Sequence, residues 1–164
     1  MFLPDEVGLE ASLAQHSRSA WAGASGVESF SVPVNTVDRY VAEASLSAVQ
    51  FLKIDVEGAE LLVLKGAKEL LTRDRPMLLL EIWSEWSKDF GYTPLDLVQF
   101  LRQFAPYELF HCGHTKLTRT EIQAGVEPGH FPRFINFLGM VPEVHGPALD
   151  SLRRAGLLVS NSWR

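Results

Sequence analysis

Two acids stand one residue apart, Asp55 and Glu57, in the run Lys-Ile-Asp-Val-Glu-Gly-Ala-Glu from Lys53 to Glu60. A third carboxylate, Glu81, closes the apolar run Met-Leu-Leu-Leu-Glu. Gathered at one place, such groups bind a cation, orient a hydroxyl or an amine, or take a proton. Lys53 lies two residues before Asp55, and in a strand that spacing puts both side chains on one face. An ion pair inside a sheet rarely gains over apolar residues. A role in function is therefore favoured for Asp55 over a purely structural one. Glu57 and Glu60 precede a helix, whose free N–H groups favour negative charge, so capping explains Glu60 as readily as chemistry does. Glu81 has three readings: a solvated strand end, a partner of Lys53 across the sheet, or a site acid.

Weaker signals lie around these acids. Trp83 and Trp86 follow Glu81 and either line a pocket or lid the core. The run Phe-His-Cys-Gly-His brings together His111, Cys112 and His114, with His130 further on. Its spacing fits no zinc pattern, so no metal site is expected. His111 remains a candidate base or substrate contact near neutral pH. Asn136 stands in an otherwise apolar segment and needs a partner or an open edge. No Walker loop, Gly-x-Ser-x-Gly or His-Glu-x-x-His motif occurs. The segment Ala-Gly-Ala-Ser-Gly-Val-Glu-Ser lacks the preceding strand and the glycine spacing of a nucleotide cradle.

The elements that must position the acids are clear in the centre of the chain. Residues 49–55 read as a strand, 58–71 as one amphipathic helix with Leu61, Leu64, Ala67 and Leu71 on its inner face, and 77–82 as a second strand. Strand, helix, strand is a parallel crossover unit. If the two strands are neighbours, Asp55, Glu57 and Glu81 converge at their carboxyl ends, where open α/β sheets bind ligands. A short helix is expected after Asn35 or Thr36. A second helix starts at Thr93, with Pro94 at its first position and Asp96 completing the cap. Its inner stripe is Leu95, Val98, Leu101 and Phe104. Strands follow at 107–110 and 134–141, with a polar loop over 113–132 between them, and a terminal helix ends near Gly156. The expected class is α/β, one domain over residues 1–164, with a mostly parallel sheet ending in an antiparallel pair.

The bulk properties narrow the function. Net charge is −5 across 164 residues and no basic run appears, which argues against nucleic acid. The single cysteine, Cys112, suits a reducing compartment. No apolar stretch is long enough to span a membrane, and the first residues do not read as a signal peptide. The expected address is the cytoplasm.

The segment from Asn35 to Ile82, with Lys-Ile-Asp-Val-Glu-Gly-Ala-Glu at its centre, resembles the FkbM-type methyltransferases. The preceding Val-Asn-Thr-Val-Asp-Arg-Tyr, the later Gly-Tyr-Thr-Pro-Leu-Asp-Leu and Asn-Phe-Leu-Gly-Met-Val agree in order and spacing, so the likeness covers most of residues 8–141. The resemblance implies a class I (Rossmann-like) sheet, of which this chain holds the later, C-terminal part. It implies methyl transfer from S-adenosylmethionine to a hydroxyl of a small molecule or sugar. Asp55 and Glu57 would be catalytic, and Lys53, Glu81, Trp83 and His111 would face the acceptor. The family's first strand with its glycine loop, and the acid that holds the ribose, have no counterpart here. The expectation is therefore an incomplete cofactor pocket, with cofactor-binding residues unassigned. A second class of function follows from that gap: a non-catalytic module that keeps the fold core and acts through self-association or a partner. Exposed apolar faces on the 49–55 strand would favour a homo-oligomer.

Overall fold

The computed structural model describes residues 31–113, 116–120 and 136–159, with residues 2–4, 13 and 27–29 besides. Strands β1 (Phe2–Pro4) and β2 (Val27–Ser29) form a small antiparallel pair. Helix α1 (Val37–Glu43) starts at Thr36, whose hydroxyl accepts from Arg39 N–H at 3.2 Å. Strand β3 (Phe51–Ile54), helices α2 (Glu60–Lys65) and α3 (Lys68–Arg73), and strand β4 (Met77–Glu81) make the expected crossover unit. Then come α4 (Ser84–Asp89), α5 (Pro94–Leu101), β5 (Glu108–Cys112), β6 (Leu117–Thr120), β7 (Asn136–Met140), α6 (Pro142–Arg154) and β8 (Leu158–Val159).

The main sheet has the order β3-β4-β7-β5-β6-β8. Only β3 with β4 and β6 with β8 run parallel; β7 lies antiparallel to both β4 and β5, and β5 to β6. The expectation of a mostly parallel sheet is thus corrected to a mixed one. A continuous apolar run marks a strand covered on both faces, and Asn136–Met140 reads the same way whichever direction it runs. The antiparallel ending itself is present, with β7 inserted between β4 and β5.

Residues paired across a sheet share a face. Ile54, Leu80 and Phe137 sit in one such row, Leu78 and Leu109 in the next, and both pack under α2, α3 and α5 through Leu61, Leu64, Leu71, Leu97, Val98 and Leu101. Each fully buried leucine there contributes roughly 1.5–3 kcal/mol. The opposite face is covered over β5 and β7 by α6, where Leu149 and Leu152 meet Phe110, Met140 and Leu138. Over β3 that face is open: Phe51 and Lys53 are exposed, and β3 is the edge strand of the described sheet.

The single helix expected over 58–71 is two. Gly66 ends α2, and a Cβ there would stand 3.2 Å from Thr36 Cβ, so α1 crosses close at the break. Asp38 of α1 then caps α3 from outside, accepting from Glu69 N–H at 3.0 Å and Leu70 N–H at 2.9 Å. The inner stripe survives, because Leu61, Leu64, Ala67 and Leu71 all remain buried. In α5 the Thr93–Asp96 capping box forms as expected. Its buried positions are Leu97, Val98 and Leu101, while Leu95 and Phe104 are half-buried. Strand β6 occupies part of the segment expected to be loop. Among the described residues no helix is long and apolar enough to cross a membrane.

Candidate functional site

β3 and β4 pair in parallel with Ile54 opposite Leu80, so the next step along each strand sets Asp55 beside Glu81. Across β4, Glu81 is paired with Asn136 of β7. One step past the His111–Phe137 pair, Cys112 of β5 falls beside Asn136. A single row at the sheet's edge therefore reads Asp55, Glu81, Asn136, Cys112. Asn136, puzzling in an apolar segment, finds its polar surroundings in this row.

Behind β3 the chain turns through Val56, Glu57 and Gly58. Glu57 has φ +52° and Gly58 φ +93°, two left-handed residues in succession. At Gly58 this is only half of the constraint. A Cβ there would lie 2.8 Å from the backbone carbon and oxygen of Trp86, so the turn is packed directly against α4. The turn carries Glu57 back toward the sheet edge, and carboxylate oxygens of Asp55, Glu57 and Glu81 all come within 4.8 Å of one another.

Three carboxylates this close repel, and the repulsion is resolved by a proton. Burial, the hydrogen bond with Asp55 and the negative charges of Asp55, Glu57 and Glu60 push Glu81 up to about 8. Asp55 moves the other way, held below the usual carboxylate range by its hydrogen bonds with Glu81 and Lys53. The opposite directions of the two shifts place the pair's shared proton toward Glu81 and away from Asp55. The three-oxygen spacing also suits a hard cation; a protonated Glu81 relieves the same repulsion without one.

Lys53 Nζ donates to Asp55 at 2.5 Å, the pair anticipated from their spacing. Both side chains are accessible, 55% and 36%, so the pair sits on the open stretch of an edge strand rather than in a sheet interior. The cost argument that first singled out Asp55 does not apply there. Proximity to Glu81 is what distinguishes it. Glu81 hydrogen-bonds with Asp55, and its charge also reaches Lys53.

Glu60 opens α2, at the helix start the sequence suggested, but it is 2% exposed there. Its Oε1 accepts from Val56 N–H at 3.3 Å and Gly58 N–H at 3.2 Å, spanning the turn. The Tyr92 hydroxyl lies 2.8 Å from Gly58 O and 3.0 Å from Glu60 Oε2, sharing its proton between them. Burial and the neighbouring Glu60 charge push Tyr92 up, so it stays a donor. Tyr92 was not singled out from the sequence; it stands 32 residues from Glu60 and only the fold joins them.

The remaining candidates separate. Trp83 is 40% exposed at the start of α4, just beyond Glu81, with its ring centroid 4.5 Å from that of Trp86. Trp86 is buried, so one tryptophan lids the core and the other faces out. His111 lies in the row of Ile54, Leu80 and Phe137, on the face opposite the acids, buried and edge-on to Phe137 at 5.5 Å. It is not brought to the acid cluster. Alternation along β5 decides this: Cys112 points to the acid side and His111 away. Burial pushes the Cys112 thiol up, away from nucleophilic character. His114 and His130 lie outside the described residues.

Beside Asp55 opens a cleft of about 480 Å³ walled by Val32, Val34, Val56, Leu62 and Val63, with Asn35 and Thr36 adding polar groups. An acid rim and an apolar cleft thus meet at Asp55. Residues 4–113 match the family model of the methyltransferase FkbM domain, two thirds of the chain and all of the acid turn. The chain belongs to the FkbM methyltransferase family. No curated protein and no solved structure matches it. In this FkbM domain the matched segment contains α1, both arms of the crossover unit and the Tyr92 brace, so every residue described around the turn except Asn136 lies inside it.

Proposed function

We propose that this chain transfers a methyl group from S-adenosylmethionine to a hydroxyl oxygen of a small molecule or sugar. The observation that carries the reading is the Asp55–Glu81 pair at the carboxyl ends of two adjacent strands, inside a methyltransferase-family segment. The acid turn lies intact within the family match, which favours an enzyme over a module acting by association alone.

S-adenosylmethionine, when bound, supplies a methyl group on a positively charged sulfur. The residues present fit such a molecule in part: Asp55 carries negative charge where the acid rim meets an apolar cleft, a combination suited to a ligand with one cationic and one apolar end. Asp55, Asn35 and Thr36 are the polar groups that would hold it there.

The acceptor's side of the reaction falls to the acids. An ionised Asp55 would accept a hydrogen bond from the acceptor hydroxyl and orient its oxygen. Lys53 keeps Asp55 ionised, and the proton on Glu81 holds the Asp55 carboxylate in one orientation. As the hydroxyl oxygen gains its methyl it loses its proton, which the Asp55–Glu81 pair takes in its doubly ionised form and so returns to the singly protonated state. The doubly ionised pair takes up its first proton at about 8, which matches a working pH near or above neutral better than an ordinary carboxylate does. Glu57 adds negative charge to the rim, and the exposed Trp83 offers an aromatic wall for the acceptor.

The test uses the whole chain with S-adenosylmethionine and a panel of hydroxylated small molecules and sugars, following S-adenosylhomocysteine release. Asp55→Asn should lower turnover by about 100-fold or more, the range for losing a general base, while the circular dichroism spectrum stays unchanged. Unchanged turnover in Asp55→Asn would retire the assignment.

A further inference from the structure

We infer that Tyr92 and Glu60 form a positioning clamp that sets the distance between Asp55 and Glu81 by fixing the Val56–Gly58 turn. The inference rests on reading the acid cluster as the working site, and it adds two residues that touch neither acid's oxygens. One buried carboxylate oxygen of Glu60 accepts from the amides of both Val56 and Gly58, the residues on either side of Glu57. Tyr92, arriving from the segment before α5, donates to the Gly58 carbonyl and to the other Glu60 oxygen, and accepts from Leu61 N–H at 3.5 Å. Every polar atom of the clamp is thereby spoken for inside the protein.

The turn needs holding for a physical reason. Glu57 is a side-chain-bearing residue in left-handed backbone, a conformation that persists only where the surroundings over-determine it. Gly58 is pressed onto Trp86 on its other side. Relaxing Glu57 toward ordinary backbone would swing its carboxylate and the end of β3 together, because only Val56 separates Glu57 from Asp55. The clamp therefore acts on the spacing of the acids, and through it on how strongly they share a proton.

A merely structural tyrosine is available for comparison. Tyr107 is equally buried and donates to Pro76 O at 2.9 Å, at the opposite end of β4 from Glu81. The experiment is a carboxyl-carbon NMR titration of Asp55 and Glu81 in the full chain, without methyl donor or acceptor, for the wild type, Tyr92→Phe, Glu60→Gln and Tyr107→Phe. Both clamp variants should bring the Glu81 midpoint down by about one pH unit or more and the Asp55 midpoint up, as expected when the two acids move apart. Tyr107→Phe should lower the melting temperature and leave that midpoint in place. Unmoved midpoints in both clamp variants, or an equal movement in Tyr107→Phe, overturn the clamp. If Tyr92→Phe does not fold, Glu60→Gln decides by the directions of both midpoints: a released clamp raises Asp55 as it lowers Glu81, whereas both midpoints falling together reports only the lost Glu60 charge and overturns the clamp. Because no turnover is measured, loss of the methyl-transfer reading is detected separately, by the Asp55→Asn assay.

Discussion

Replacing Glu81 with glutamine tests the shared proton directly. Glutamine has the shape of a protonated glutamate and still donates to Asp55, but it cannot lose a proton. In the wild type Glu81 is raised from an ordinary 4.5 to about 8. The folded state therefore holds this proton more tightly than the unfolded chain. The resulting stability is fully present below pH 4.5 and is lost as pH rises toward and through 8. At full weight the difference between those two values would be worth about 5 kcal/mol, at ~1.4 kcal/mol for each tenfold step. Glu81 is only part-buried, so solvent screening reduces that to about 1–2 kcal/mol. Asp55 is shifted the opposite way, and its contribution is lost only as pH falls through the acid range, outside the window of interest. Urea unfolding at pH 5.5, 7 and 8.5 reads the difference. The wild type should lose about 1–2 kcal/mol between the first and last pH, and Glu81→Gln should lose little, ending the more stable of the two at pH 8.5. Parallel pH dependences for the two proteins would refute the shared proton and, with it, the assignment of the pair as the base.

Three further outcomes follow from the same geometry. Gly58→Ala should cost about 2–4 kcal/mol in urea unfolding, combining a left-handed alanine with a Cβ forced onto the Trp86 backbone; a loss under about 1 kcal/mol would mean the turn is looser than described. Asp38→Ala should destabilise by about 1–2 kcal/mol, because the amides of Glu69 and Leu70 lose their cap, and Asp38→Asn by roughly half as much; equal effects would place the interaction in charge rather than in paired acceptors. With any acceptor that supports turnover, kcat/KM should rise with pH and level off above about 8 as the Asp55–Glu81 pair becomes fully ionised. A flat profile would remove Glu81 from proton transfer.

Local pattern alone was enough for several features. The βαβ unit, the Thr93 capping box, the Thr36 cap and the strand bearing Asn136 all follow from periodicity and short-range hydrogen bonding, which the chain encodes within a few residues. The convergence of Asp55, Glu57 and Glu81 was legible too, because parallel neighbouring strands carry their terminal residues to one edge. The family was readable from the run around Asp55 for the same reason: chemistry-bearing turns are continuous in sequence.

Tertiary structure decided what depends on residues far apart in the chain. The break of the helix at Gly66 is set by α1 crossing it and by Asp38 capping α3, 31 and 32 residues away. The antiparallel insertion of β7 is a matter of pairing, which an apolar run does not specify. His111 and Cys112 are adjacent in sequence yet face opposite sides, and which of them met the acids waited on the register of β5 against β7. Glu60 changed most. Its local context gave a helix-start charge, and it is the fold that closes Tyr92 and the Val56–Gly58 turn over it. A carboxylate's role follows from the donors that surround it when water is excluded, and those donors are assembled only when the chain folds.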